Sequence, residues 1–340
     1  MLRELRLAVR PVVRLLLHDP ISCLRLAAMI AILGGLGAAA LWATANLSSS
    51  RSSRMIGASS TVAWMMVVGL LVTTPFALVS GPLPEITPTL ALWLLASGFG
   101  GVVGLMFLYR GLRIGKIGVV LALASTEGAI AAVLSVVAGE RLTLASALVL
   151  GVIAIGVAIV ALASGDTAEP DAVVPGAGTG TTAGSAAAPA GPRAAGPSTV
   201  ASLERRAALF GAAAAIAFGF AVYGTAMAGK SLPLVLAVMP PRVVGVAFVF
   251  VPMAFAGRLR MTRRAAPLVV LVGLGEVLGN ASYVLGARES IAVASVLASQ
   301  FAALAAVAAY FLFRERLTSP QRSGFVAIAV GVAILTVVRG

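Results

Sequence analysis

Two acids stand where acids are expensive. Glu127 lies in the run ALASTEGAIAAV and Glu276 in LVGLGEVLGNASYV, each well inside an apolar segment. An ionised carboxylate at bilayer depth costs about 2.5 kcal/mol or more on insertion scales, so such a group faces a cavity or a partner rather than lipid. The chemistry open to it is the uptake and release of a cation. Burial favours the neutral acid, so a proton or a small cationic solute can be loaded and let go. In a helix, Asn280 falls one turn beyond Glu276 and Tyr283 two turns beyond, which places carboxylate, amide and phenol along one stripe able to line a pore. By the same spacing Glu127 shares a face with Ala124, Ala131 and Ser135, small groups that permit close helix approach or leave room for a ligand. Gln300, beside Ser299, completes the set of candidate substrate- or proton-binding residues. For each of these groups the alternative is an interhelical hydrogen bond that only fixes packing.

Other chemistries are closed. Cys23 is the only cysteine and His18 the only histidine, so an internal disulfide, a zinc site and Cys/His or Ser/His catalysis all lack their groups. No phosphate-binding loop occurs. Gly273-Leu274-Gly275 sits within an apolar run with no strand before it, where helix packing accounts for it. The reading is therefore of a chain that is not an enzyme, with no catalytic residues, no cofactor and no metal.

The elements that carry these residues follow from composition. Of 340 residues 60% are hydrophobic, above the roughly 45–50% of a soluble domain, and the surplus has to face lipid. Apolar runs fall at about 29–47, 60–80, 88–108, 117–138, 143–164, 205–228, 233–256, 266–286, 290–312 and 321–338, most near the length that crosses a ~30 Å hydrocarbon core. The net charge of +13 would suggest nucleic acid in a soluble protein, but the basic residues lie in loops and at helix ends, where lipid headgroups and insertion rules explain them. Nucleic acid is not an expected partner.

Residues 1–28 carry Arg3, Arg6, Arg10, Arg14 and Arg25 among leucines. They read as a basic amphipathic helix on a membrane surface, or as an upstream extension with Met29 as the start. Residues 29–164 form a first five-helix repeat, and residues 204–340 a second. Between them, residues 165–203 are rich in Ala, Gly, Pro, Ser and Thr and poor in large apolar groups, so they cannot offset their ordering entropy and read as a disordered linker.

The repeat shows in four matches at nearly one offset. Gly98-Phe99-Gly100-Gly101-Val102-Val103-Gly104 matches Gly273-Leu274-Gly275-Glu276-Val277-Leu278-Gly279, and Leu123-Ala124-Ser125 matches Leu297-Ala298-Ser299. Glu140-Arg141-Leu142-Thr143 matches Glu315-Arg316-Leu317-Thr318, and the segment starting at Ile153 matches the one starting at Ile328. Four matches in register and in order are hard to obtain by chance. Five crossings per half deliver the second half with the opposite orientation, so the predicted fold class is all-α integral membrane, ten transmembrane helices as two inverted five-helix repeats.

The stretches ending at Thr143 and Thr318, with the Gly-rich fifth and tenth spans, make the chain resemble the EamA-type transporters of the drug/metabolite transporter superfamily. The resemblance implies a ten-helix bundle whose central cavity is lined from both halves. It also implies secondary transport, by export or exchange, of a small polar or cationic metabolite. Proton coupling enters through the buried acids. The alternative is a lipid-linked carrier or flippase subunit. The expected partners are a small-molecule substrate, the bilayer and, on the coupling reading, protons, with the chain a monomer or homodimer.

Several residues have plainer readings. Glu140 and Glu315 lie at helix ends beside arginines, where solvated ion pairs or capping are the rule. Arg242, after Pro240-Pro241, snorkels to the interface or else holds an anionic substrate group. Trp42, Trp64, Trp93, Tyr223 and Tyr310 read as packing or interface residues. Ala/Gly/Arg-heavy usage points to a GC-rich bacterial genome and hence to the plasma membrane. Loop arginines cluster on the linker's side of a ten-span topology, which predicts a cytoplasmic linker.

Overall fold

A computed structural model describes residues 20–81, 84–114, 117–165, 197–301, 303–304, 307–308 and 319–339. Among these the chain is helical, with no strand. The first half consists of α1 (Pro20–Ile56), α2 (Ala58–Leu78), α3 (Pro88–Ile114), α4 (Ile117–Ala124), α5 (Glu127–Val137) and α6 (Leu144–Gly165). The second consists of α7 (Pro197–Ser231), α8 (Leu234–Val238), α9 (Pro240–Gly245), a π-helical turn (Val246–Phe250), α10 (Val251–Phe255), α11 (Ala266–Glu289), α12 (Ile291–Ala298) and α13 (Ser319–Arg339).

Six stretches are long and apolar enough to cross a membrane: Arg25–Ile56, Ala58–Leu78, Pro88–Leu108, Arg205–Ser231, Leu234–Phe255 and Ala266–Glu289. Three shorter apolar helices, Glu127–Val137, Leu144–Gly156 and Arg322–Leu335, accompany them. Each of the six falls on an apolar run read from the sequence. Helix α1 begins at Pro20, inside the basic N-terminal segment, and α7 at Pro197, inside the stretch read as linker. Residues 1–19 and 166–196 lie outside the described residues.

Local chemistry sets the helix ends. Gly57 takes φ 85 between α1 and α2, a left-handed conformation that costs glycine little. Thr87 Oγ1 accepts the Leu90 N–H at 3.2 Å ahead of α3, and Thr143 Oγ1 the Ser146 N–H at 3.2 Å ahead of α6, as N-cap hydroxyls do.

The halves interlock. Helix α1 packs along α11, α3 along α7, α5 on α12 and α6 along α13. The contacts are made at glycines, and they come in matched pairs. A Cβ on Gly275 would stand 3.1 Å from Leu41 O and 3.0 Å from Ala45 Cβ; one on Gly100 would stand 2.8 Å from Ala217 O and 2.9 Å from Ala221 Cβ. Gly273 faces Val68 as Gly98 faces Val244, Gly279 faces Trp42 as Gly104 faces Phe218, and Gly331 faces Ile153 as Gly156 faces Ile328. Offsets of 175 or 176 residues relate the pairs, and each of these contacts has a counterpart made by the other half. An offset of 176 also sets Gly69 against Gly245 and Arg242 against Met66, since Arg242 lies over Gly69 and Met66 over Gly245.

The fourth apolar run departs from its expected form. It is two helices, α4 and α5, separated by a turn at Ser125-Thr126, so Ala124 does not share a continuous helical face with Glu127. The ninth run breaks in the matched place, with a turn at Ser299-Gln300 after α12.

Candidate functional site

Glu276, Asn280 and Tyr283 lie on one continuous helix, α11, and their side chains divide their tasks. Glu276 faces Arg242 of α9, with Arg242 Nη2 and Glu276 Oε2 3.8 Å apart; the Arg242 side chain is 4% exposed and the Glu276 side chain 31%. The expectation that Arg242 snorkels to the interface is corrected: it is buried against an acid. Pro240 and Pro241 open α9 after the break that follows Val238, which sets Arg242 inside a segmented span rather than at its end. Its aliphatic stem crosses Gly69 of α2, where a Cβ would meet Arg242 Cγ at 2.9 Å. The 3.8 Å separation exceeds hydrogen-bond range, and Nη2 is buried without a hydrogen-bond partner.

Asn280 turns back on its own helix, Nδ2 donating to Glu276 O at 2.7 Å. Tyr283 is buried and bridges two other helices, donating to Val222 O of α7 at 3.2 Å and pairing with Ser295 Oγ of α12 at 2.9 Å. A phenol with both functions satisfied is a fixed strut. Trp42 of α1 lies beside it, with ring centroids 6.2 Å apart, and sits edge-on to Phe301 at the same distance.

The two helix breaks meet. Gly128, next to Glu127, packs against Ser299 and the Ser295 carbonyl. Thr126 Oγ1 donates to Leu123 O at 2.6 Å, Ser299 Oγ to Val296 O at 2.8 Å and Gln300 Nε2 to Val296 O at 2.9 Å. These local bonds satisfy carbonyls that an interrupted helix releases. Gln300 Oε1 is buried with no hydrogen-bond partner. Glu127 opens α5, where the helix dipole favours a negative charge. The Glu276 charge also acts on it. Among the described residues Glu127 has no cationic partner, and no cluster of His, Cys, Asp or Glu is arranged to hold a metal.

The structure therefore brings Glu127, Ser299 and Gln300 to the paired breaks, and sets Glu276, Asn280 and Tyr283 along α11 beside them. Two residues outside the sequence-derived set matter. Arg242 is the partner of Glu276, and an arginine inside an apolar run was the available signal. Glu140 caps the other half: Oε1 accepts from Ser290 Oγ at 2.5 Å and Oε2 from the Ala292 N–H at 3.2 Å, at the start of α12. The capping expectation for Glu140 holds, although its target is distant in sequence. Glu315 and Tyr310 lie outside the described residues. The aromatic packing expectation holds for Trp93 on Tyr223 and Trp64 on Phe250, at centroid distances of 5.3 and 5.1 Å.

Residues 29–162 match the EamA-like transporter family, a span nearly coincident with the first repeat read from the sequence. Together with six apolar helices of membrane-spanning length, the match indicates an integral membrane protein. No curated protein matches the chain. Sixteen solved chains do, among them one described only as "Crystal structure of protein", which superposes with a TM-score of 0.66 at 15% identity over 91% of this chain and 97% of its own. That likeness establishes a shared fold across both halves.

Proposed function

We propose that the chain is a secondary transporter that moves a small polar or cationic solute by alternating access between two inverted five-span halves, with Glu127 as the group that exchanges a proton against the solute. The exchanged glycine contacts support the two-fold frame, since each half presents the other with the same surfaces. The matched breaks in the fourth and ninth runs support a site at their junction, because interrupted helices free polar backbone and place helix ends where a solute binds.

The observation that carries the reading is a charge imbalance. Two acids and one arginine occupy the site, and Arg242 is committed to Glu276. Among the described residues Glu127 is left without a cation. The titratable groups acting around it are Glu276 and Tyr283, both on α11, with Arg242 beyond Glu276. A lone acid at membrane depth is stabilised by taking up either a proton or a cationic group, and mutual exclusion of the two at one carboxyl couples their movements. Export across a bacterial plasma membrane, with the linker in the cytoplasm, accords with the charge distribution of the loops.

Flux in proteoliposomes tests this, with a panel of amines, amino acids and nucleosides and with or without an imposed pH gradient. Wild-type flux of the cargo responds to the gradient. Glu127→Gln abolishes that response, and Glu276→Gln lowers flux by leaving Arg242 unpaired. Flux that ignores the gradient and is unchanged in both variants overturns the proposal.

A further inference from the structure

One corner of the membrane domain gathers positive charge from both halves. Arg51 and Arg54 lie in the last turns of α1, and Arg258, Arg260, Arg263 and Arg264 lie in the loop from α10 to α11; all six are exposed. Residues 48–68 and 251–275 contain no Asp or Glu. The two segments meet, for the Arg260 N–H donates to Ser60 Oγ and Trp64 Nε1 donates to Arg260 O, both at 3.1 Å. Ile56 shares a buried cluster with Ala265 and Val269, and Trp64 and Val68 pack against it. The loop is thus pinned onto the start of α2, beside the end of α1.

The corner stands at headgroup depth. Of the membrane-length stretches, Arg25–Ile56 and Leu234–Phe255 end here, and Ala58–Leu78 and Ala266–Glu289 begin here. Exposed apolar side chains, Met55, Phe255 and Met261, stand among the arginines in the chain. A soluble acidic partner would cover only the charge, whereas a lipid has acyl chains for the apolar groups and a phosphate for the guanidinium groups. The repeat supplies a comparison. At offsets of 175 or 176 the loop from α10 to α11 corresponds to residues 79–88, which carry Glu85 and no basic residue, and Arg54 corresponds to Lys230. The apolar contact beneath is repeated, with Leu232 and Leu90 in one cluster in the places of Ile56 and Ala265. The charge is not, so packing does not require it.

We infer that this corner is a docking surface for anionic phospholipid, whose headgroup phosphate engages the arginines of the α10–α11 loop and of the α1 end while its acyl chains cover Met55, Phe255 and Met261. The inference stands on membrane insertion and does not need the transporter reading. Insertion bias also collects arginines on one side of a membrane, but it acts during assembly and demands no headgroup preference of the purified protein. A zwitterionic lipid offers the same phosphate and sets an ammonium group against the arginines. Because the surface is drawn from α1 and α2 of one half and α10 and α11 of the other, a bound anionic lipid bridges the halves and stabilises the fold.

The test is thermal stabilisation of the full purified chain in detergent by added lipid. The probes are phosphatidylglycerol, phosphatidylcholine with the same acyl chains, and glycerol phosphate, which presents the phosphate without the chains. Phosphatidylglycerol stabilises the wild type at a concentration at least tenfold lower than phosphatidylcholine, and glycerol phosphate has no effect there. Replacing Arg258, Arg260, Arg263 and Arg264 together by Gln reduces the preference to less than twofold; the bonds to Ser60 and Trp64 survive, because Arg260 makes them through its backbone. Should that variant not fold, the milder Arg263→Gln with Arg264→Gln reduces the preference at least threefold. Arg141→Gln with Lys230→Gln removes charge outside this corner and keeps it. Equal stabilisation by the two lipids, an equal effect of glycerol phosphate, or a preference that survives in the folded loop variants overturns the inference. An equal loss in the Arg141 and Lys230 variant assigns the effect to net charge and overturns it as well.

Discussion

Arg242 of α9 and Glu276 of α11 face each other 3.8 Å apart inside the membrane domain, where the first half of the chain sets Met66 and Gly101. Removing one member strands the other. Arg242→Gln or Glu276→Gln alone is expected to destabilise the protein by about 3–5 kcal/mol, and removing both by much less. Chemical unfolding in detergent, taken as a double-mutant cycle, checks the non-additivity.

The glycine contacts predict a sharp contrast among glycines of α3 and α11. A Cβ at Gly104 would stand 2.6 Å from the Phe218 ring, and one at Gly279 2.5 Å from Trp42 Nε1, whereas Gly101 is open. Gly104→Ala and Gly279→Ala are each expected to cost about 1–3 kcal/mol through overpacking. Gly101→Ala is expected to be neutral or to stabilise by about 0.4–1 kcal/mol. Thermal midpoints of the purified variants distinguish the three.

Glu140 caps α12 across the two halves through Ser290 and the Ala292 N–H. Glu140→Ala is expected to cost about 0.5–2 kcal/mol, the usual loss for an N-cap acceptor, and to speed hydrogen exchange at Ala292. Protection unchanged at that amide contradicts the assignment.

Positive charge on the linker's side of the membrane predicts a cytoplasmic linker. With Cys23, the only native cysteine, replaced by serine, a cysteine at Ser185 is expected to stay unlabelled by an impermeant maleimide in intact cells and to react after permeabilisation. Labelling of intact cells places the linker outside.

Much of this was legible in residue types and spacing. The apolar runs and the two acids set within them required only composition, because lipid demands long apolar segments and tolerates few charges. The helix breaks were not legible. Ser125-Thr126 and Ser299-Gln300 contain neither Gly nor Pro, while Pro75 lies within the unbroken α2, so local propensity pointed elsewhere; the contact between the two breaks, Gly128 against Ser299, joins residues far apart in sequence. Arg242 was misplaced because Pro240-Pro241 read as the edge of a span, whereas they begin the second segment of a broken one. The bonds from Glu140 to Ser290 and Ala292 join residues far apart in sequence, a relation that no local pattern encodes.

The central claim is that Glu127, which has no cationic partner among the described residues, exchanges a proton against the solute. Proton movement measured by a pH dye trapped inside proteoliposomes, on addition of a transported solute with no imposed gradient, tests it most directly. The account predicts a change in internal pH that follows solute flux in the wild type and is absent in Glu127→Gln while solute still crosses. Solute flux without any proton movement in the wild type, or the same proton movement in Glu127→Gln, contradicts it.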